Sequence, residues 1–270
     1  MASLLSVNVG RLRPNADSRR RPTGIDKRSV SGGVGVRAPG GKRDGMGSGL
    51  VGDEIGDHRH HGGDEQAVYA YAREELDSWE RRLGRQLPNG IFGENLTTAG
   101  LEVSEAVLGE RWLVGDTVVL QVTGPRIPCG TFRAHMAEKG WLKSFTHVAR
   151  SGAYLSVVVP GTIRAGDPVS VVHRPDHDVT ARLAFRALTL ERHLLPELLG
   201  AGTDLPDDVR EKVHGGETYR WDSRSHATPC GEWKHGRRPQ TDLLRVMTMN
   251  AYGPGNPDWT RRHRLLGDHP

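Results

Sequence analysis

From Asp116 to Thr123, Val118, Leu120 and Val122 alternate with Thr117, Val119, Gln121 and Thr123. This period-two pattern, rich in β-branched residues, predicts a strand that stops at Gly124-Pro125. Other runs read the same way. Leu4–Val9 is a strand ended by Gly10, and Val30–Val36 is a strand interrupted by glycines. Phe92–Thr98 is a turn leading into a short strand, and Leu108–Trp112 is further strand material. Tyr154–Val159 ends at Pro160-Gly161, and Val169–His173 closes the set. Between them, Val68, Tyr71, Leu76, Trp79 and Leu83 predict a helix over about 64–83 with Asp64 as its cap. Residues 133–150 also read as helical. Many short strands, Gly/Pro turns and few helices predict a closed, barrel-like β core.

The pattern changes after Arg174. Thr180 is placed to cap a helix over 181–188, a second helical run covers 190–199, and a third piece, 206–213, begins with proline. From Gly215 onward neither period is sustained, and Trp221, Trp233 and Trp259 are scattered among Arg, His, Pro and Gly. The expected organisation is a barrel domain over 1–175, a three-helix extension over 178–214 and a poorly ordered tail over 215–270.

Composition narrows the function classes. No apolar run approaches the length of a membrane-spanning helix. Leu4-Leu5 gives way at once to polar residues, unlike a secretory signal, and two cysteines cannot build a disulfide framework. A reducing, cytoplasmic setting without membrane partners is expected. The formal charge is +4, with ten Lys/Arg against three Asp/Glu in the first 45 residues. Arg19-Arg20-Arg21 suits a solvated loop, a nucleic-acid patch or a hold on a phosphorylated ligand. No aromatics interleave with these charges, so nucleic acid is not the expected partner. The glycine-rich 39–49 stretch, read as a flexible connection, has neither a P-loop ending nor a dinucleotide-fold context.

Cys129 follows the Asp116–Thr123 strand on a loop bounded by Pro128 and Gly130, beside Arg126. A thiolate is both nucleophile and soft-metal ligand, and a neighbouring cation favours it. The same position suits a buried structural cysteine. Upstream, the polar segment 52–66 gathers His58, His60 and His61. Imidazole titrates near neutrality, so His61 is a candidate for proton transfer or cofactor contact. His226, Cys230 and His235 offer metal-ligand types, without the paired cysteines of a zinc site.

Three segments then resemble one family: Gly93–Thr98; Gly109–Trp112 with Gly115-Asp116; and Gly124–Cys129. Together with His60–Tyr69, in this order and spacing, they look like a MOSC domain of the bacterial stand-alone branch associated with resistance to 6-hydroxylaminopurine. The resemblance covers roughly residues 3–175, with 180–213 similar to that branch's helical extension. It implies a closed barrel of the pyruvate-kinase-barrel-like type, mainly β with helices, and a cleft for the molybdenum cofactor (molybdopterin). It implies Cys129 as molybdenum ligand and catalytic residue together with His61. Arg126, Asn95, Thr97, Gly62, Gly63 and Asp64 are then expected to contact the cofactor. The implied activity is reduction of N-hydroxylated compounds by N–O cleavage, with a separate protein as electron donor. The rivals are a sulfur carrier holding a persulfide on Cys129, a nucleic-acid-binding module, and a metallohydrolase built on His58, His60 and His61.

Overall fold

The computed structural model describes residues 1–17 and 20–219. Among them, seven strands close into a barrel: β1 (Ala2–Gly10), β4 (Val68–Ala72), β5 (Leu96–Ala99), β6 (Arg111–Val114), β7 (Val118–Pro125), β8 (Ala153–Val159) and β10 (Pro168–His173). Around the barrel the order is β1-β5-β4-β8-β7-β6-β10, and β10 returns to β1 through Ala2 opposite Val169. Closure removes sheet edges. Every pair is antiparallel except β4 and β5. β2 (Lys27–Ser29) extends the end of β1, and β3 (Val34–Val36) forms a separate ribbon with β9 (Gly161–Ile163).

The period-two residues do what their pattern dictates. Val118, Leu120 and Val122 fill the core with Leu4, Val7, Leu96, Trp112 and Leu155, all buried. Two stretches differ from the sequence reading. The helix expected from Asp64 divides into a single 3-10 turn (Asp64–Gln66), strand β4 and helix α1 (Arg73–Leu83). All five residues of β4 are buried, and a continuous apolar run of that kind fits either period. Asp64 does not cap the turn; its Oδ1 accepts from the Gly40 backbone N at 2.8 Å. The Val30–Val36 strand is also split: β2 ends at Ser29 and β3 begins at Val34, with Gly32 at φ +85° in the turn between.

After Cys129 come two helices, α2 (Gly130–Met136) and α3 (Trp141–Val148), where one helical region was expected. With α1 they enclose a second core of Trp79, Phe92, Phe132, Trp141 and Phe145 beside the barrel. Phe92 meets Phe132, Trp141 and Phe145 edge-on with centroids 5.2, 5.4 and 5.8 Å apart, an arrangement aromatic quadrupoles favour. The helical extension is present: α4 (Ala181–Thr189), a 3-10 stretch (Arg192–Asp204) and α5 (Asp207–Gly215). Thr180 caps α4, its Oγ1 accepting from Leu183 N at 3.1 Å. His226, Cys230, His235 and the three tail tryptophans lie outside the described residues.

Glu75 joins α1 to the barrel. Its Oε2 accepts from Ser104 Oγ at 2.9 Å, and that hydroxyl oxygen accepts from Gly152 N at 3.0 Å. Burial pushes the carboxyl up from 4.5 to about 7, although the Ser104 bond opposes the shift. An acid with a raised folded pKa stabilises below its unfolded value and loses that contribution as pH rises through the folded one. Glu75→Gln should therefore gain stability relative to wild type between pH 5 and pH 8, by on the order of 1–3 kcal/mol. Urea unfolding of both proteins at the two pH values measures it; a difference independent of pH would contradict it.

Candidate functional site

One mouth of the barrel opens on a cleft of about 390 Å³. β7 leads into it. Pro125 ends the strand, Arg126, Ile127 and Pro128 cross the rim, and Cys129 stands immediately before α2. Cys129 is 8% exposed, packed on the aromatic core on one side and lining the cleft on the other. It is thus both a buried cysteine and a cleft residue. Arg126 is buried, with its guanidinium carbon 3.8 Å from the Phe132 ring centroid and 5.5 Å from that of Tyr69. Stacking of this kind suits a guanidinium held out of water.

The opposite wall is the 57–66 segment. Asp57 shapes it: its backbone O accepts from His61 N at 3.0 Å, and its Oδ2 pairs with His60 Nδ1 at 2.9 Å. Gly62 and Gly63 follow at φ +82° and +80°, where a side chain is strained. A Cβ on Gly62 would lie 2.7 Å from Gly47 O, so the two loops touch backbone to backbone. His60 and His61 line the cleft, whereas the ring of His58 packs against Gly47. Among the described residues no three His, Cys, Asp or Glu side chains gather as a metal site.

The floor is a knot of hydrogen bonds around Asp53. Its Oδ1 accepts from Gly10 N at 2.7 Å and pairs with Lys27 Nζ; its Oδ2 accepts from Ser48 Oγ at 2.6 Å and Asn95 Nδ2 at 2.9 Å. Asn95 Oδ1 in turn accepts from Tyr69 N at 3.1 Å. Beneath, Glu94 accepts from the backbone N atoms of Gly90 and Phe92 at 2.5 and 2.9 Å and from Thr97 Oγ1 at 3.0 Å. Burial raises the Glu94 carboxyl, and these donors pull it back.

The residues singled out in the sequence therefore divide. Cys129, His61, Arg126, Asn95 and Gly62 line one cleft. Thr97, Gly63 and Asp64 do not. Thr97 is fully buried, bonded to Glu94 and Asn8; Gly63 faces the Lys42 backbone; and Asp64 holds Gly40. Asn95 reaches the cleft, but its side-chain bonds run to Asp53, Tyr69 and Asn8. Residues missed in the sequence include Tyr69, Tyr154, Lys27 and Asp53. Tyr69 was hidden by the helical reading of β4. Lys27 and Asp53 are 26 positions apart and carry no local signal. Arg20 and Arg21 also line the cleft, in keeping with the phosphate-holding option, and a Cβ on Gly130 would lie 2.2 Å from Arg20 Nη2.

A second chamber of about 330 Å³ lies across Cys129, between β7 and α5. Arg59, His60, His61, Gln66, Cys129 and Tyr154 line both chambers, so the two meet at these residues.

A closed barrel of this topology with a cysteine at its mouth defines a class of protein, and its relatives name that class. The family model described as MOSC domain matches residues 57–170. Over 185 residues, 68% of this chain and 79% of the relative, the chain is 30% identical to the uncharacterized protein YflK of Bacillus subtilis (strain 168). It is 29% identical over 207 residues, 75% of this chain, to a protein named "Reductase" from Gibberella moniliformis (strain M3125 / FGSC 7600), spanning only 35% of that protein. The crystal structure of YiiM from Geobacillus stearothermophilus superposes with a TM-score of 0.63 at 26% identity, covering 80% of this chain and 99% of that one. The chain belongs to the MOSC domain family.

The Asp53 knot should be the costliest part of the site to break. Asp53→Ala leaves Lys27 buried without its counter-charge and should destabilise by about 3–5 kcal/mol. Asp53→Asn, which keeps an acceptor, should cost less. Urea denaturation of both variants checks the order; equal, small losses would contradict it.

Proposed function

We propose that the protein binds the molybdenum cofactor and reduces N-hydroxylated bases and related N-hydroxylated compounds by N–O cleavage. The observation that carries this reading is the position of Cys129, which lines both the cation-lined chamber and the second one.

The residues present fit the cofactor. Cys129 offers a thiolate, the donor type suited to a metal already bound by dithiolene sulfur. The first chamber presents Arg20, Arg21, Lys27, Arg59 and Arg126, more cations than the carboxylates of Asp53, Glu54 and Asp57 beside them. That excess suits a pterin phosphate. When bound, molybdenum supplies the two-electron reduction, in which a hydroxylamine R–NHOH takes up two electrons and two protons and leaves as R–NH₂ and water. The chain's own part is to hold and orient. Cys129 would hold the metal, and Arg126, fixed on Phe132, would add positive charge to the same chamber. Tyr69 remains a protonated phenol because burial holds its pKa well above the usual value, and its OH donates to Ser151 O at 2.8 Å. His61 lines both chambers, where its imidazole can hand a proton to the departing oxygen. Electrons arrive from a separate donor protein. The relative from Gibberella moniliformis is named "Reductase", which supports the reaction type.

Purification from cells supplied with molybdate tests the reading. Wild type should carry molybdenum and pterin and reduce 6-hydroxylaminopurine with an artificial electron donor. Cys129→Ser should lose the metal and more than about 100-fold of the activity while its circular dichroism and melting curve persist. Full activity in Cys129→Ser would overturn the reading. Labile sulfane sulfur on Cys129 without molybdenum would support the sulfur carrier instead.

A further inference from the structure

Gln66 ends the 3-10 turn immediately before β4, and its backbone N donates to Gly63 O at 3.0 Å. The residue lines both chambers. The Oε1 atom is buried and finds no hydrogen-bond partner among the described residues. A buried acceptor left unpaired costs about 1–3 kcal/mol, and in a native protein such a group asks for a ligand or an ordered water. Interchanging the amide O and N leaves the argument intact, because either orientation presents one donor beside one acceptor.

The second chamber carries a smaller excess of cations than the first. Lys42, Arg59 and Lys212 face Glu65 and Asp208, so cations and carboxylates nearly balance. Lys212 is engaged, with Nζ 3.3 Å from Asp208 Oδ2 and 5.6 Å from the Tyr219 ring centroid. Ile127, Leu188 and Val209 make apolar walls, and Tyr154 and Tyr219 add two aromatic rings. A chamber with apolar and aromatic walls and little net charge suits a flat, uncharged ring system. A carboxamide pairs best with an N–H donor next to a ring-nitrogen acceptor, the edge that glutamine reads on adenine.

We propose that the second chamber is the substrate chamber and that Gln66 is its reading residue. Its carboxamide pairs with an N–H donor and the neighbouring nitrogen acceptor of a planar N-hydroxylated amidine or amino-heterocycle and so turns the N–O group toward Cys129. This rests on the reductase reading above, but it is tested separately from it.

The probe for binding is adenine, which carries the edge and has no N–O bond to reduce. Titration calorimetry of adenine into the holoprotein should give affinity about tenfold weaker in Gln66→Ala and in Gln66→Glu, which loses the donor. Molybdenum and pterin content should match wild type. The KM for 6-hydroxylaminopurine should rise about tenfold more than that for phenylhydroxylamine, which lacks the edge. Unchanged adenine affinity, an equal rise in both KM values, or lost pterin in Gln66→Ala would overturn the proposal, the last because it turns Gln66 toward the cofactor. Adenine binding that depends on Gln66, with no turnover of any N-hydroxylated compound, would uphold the chamber's role and count against the reductase reading alone.

Discussion

A single buried carboxylate holds the mouth of this barrel in shape. Asp53 sits on a loop outside the strands, yet it binds the end of β1 through Gly10, β2 through Lys27 and the turn before β5 through Asn95. Asn95 passes the constraint to β4 through the Tyr69 backbone. Charge-assisted hydrogen bonds of this kind are strong only while every partner is in place, because each is expensive to leave unpaired away from water. The knot fixes the floor of the cleft, and the side chains above it, Tyr69 and Arg126 in particular, are packed rather than loosely suspended.

Barrel closure and the aromatic second core then act on one residue. β7 must run along the barrel, and α2 must lay Phe132 into the aromatic cluster. Cys129 is the joint between these two requirements, and the proline-containing rim leaves it little freedom. The 57–66 loop reaches the same point from the other side because Gly62 and Gly63 permit a turn that other residues resist. Two chambers meet there, both lined by aromatic rings, the first with the larger excess of cations. That asymmetry makes a two-ended site out of a single cleft.

Much of this was legible along the chain, for a physical reason. Strands with one buried face write their period into sequence, so β1, β7, β8 and β10 could be read directly. Thr180 could be read as a cap because a single local hydrogen bond decides it. β4 could not be read: it is buried on both faces, and without alternation it merged with α1 into one helical stripe. The site followed the same division. Cys129, Arg126 and His61 belong to short segments whose chemistry is local. Thr97, Gly63 and Asp64 lie in those segments too, but their side chains or backbones face the protein, and only three-dimensional packing reveals that. Lys27 and Asp53 are joined across the fold, and a partnership of that kind leaves no mark on either neighbourhood.

The central claim is that the Cys129 sulfur binds molybdenum where the two chambers meet. X-ray absorption at the molybdenum edge addresses it directly, comparing holoprotein with the cofactor released from it. The account predicts one more sulfur scatterer around molybdenum in the holoprotein than in the released cofactor. An identical sulfur shell in both would contradict it.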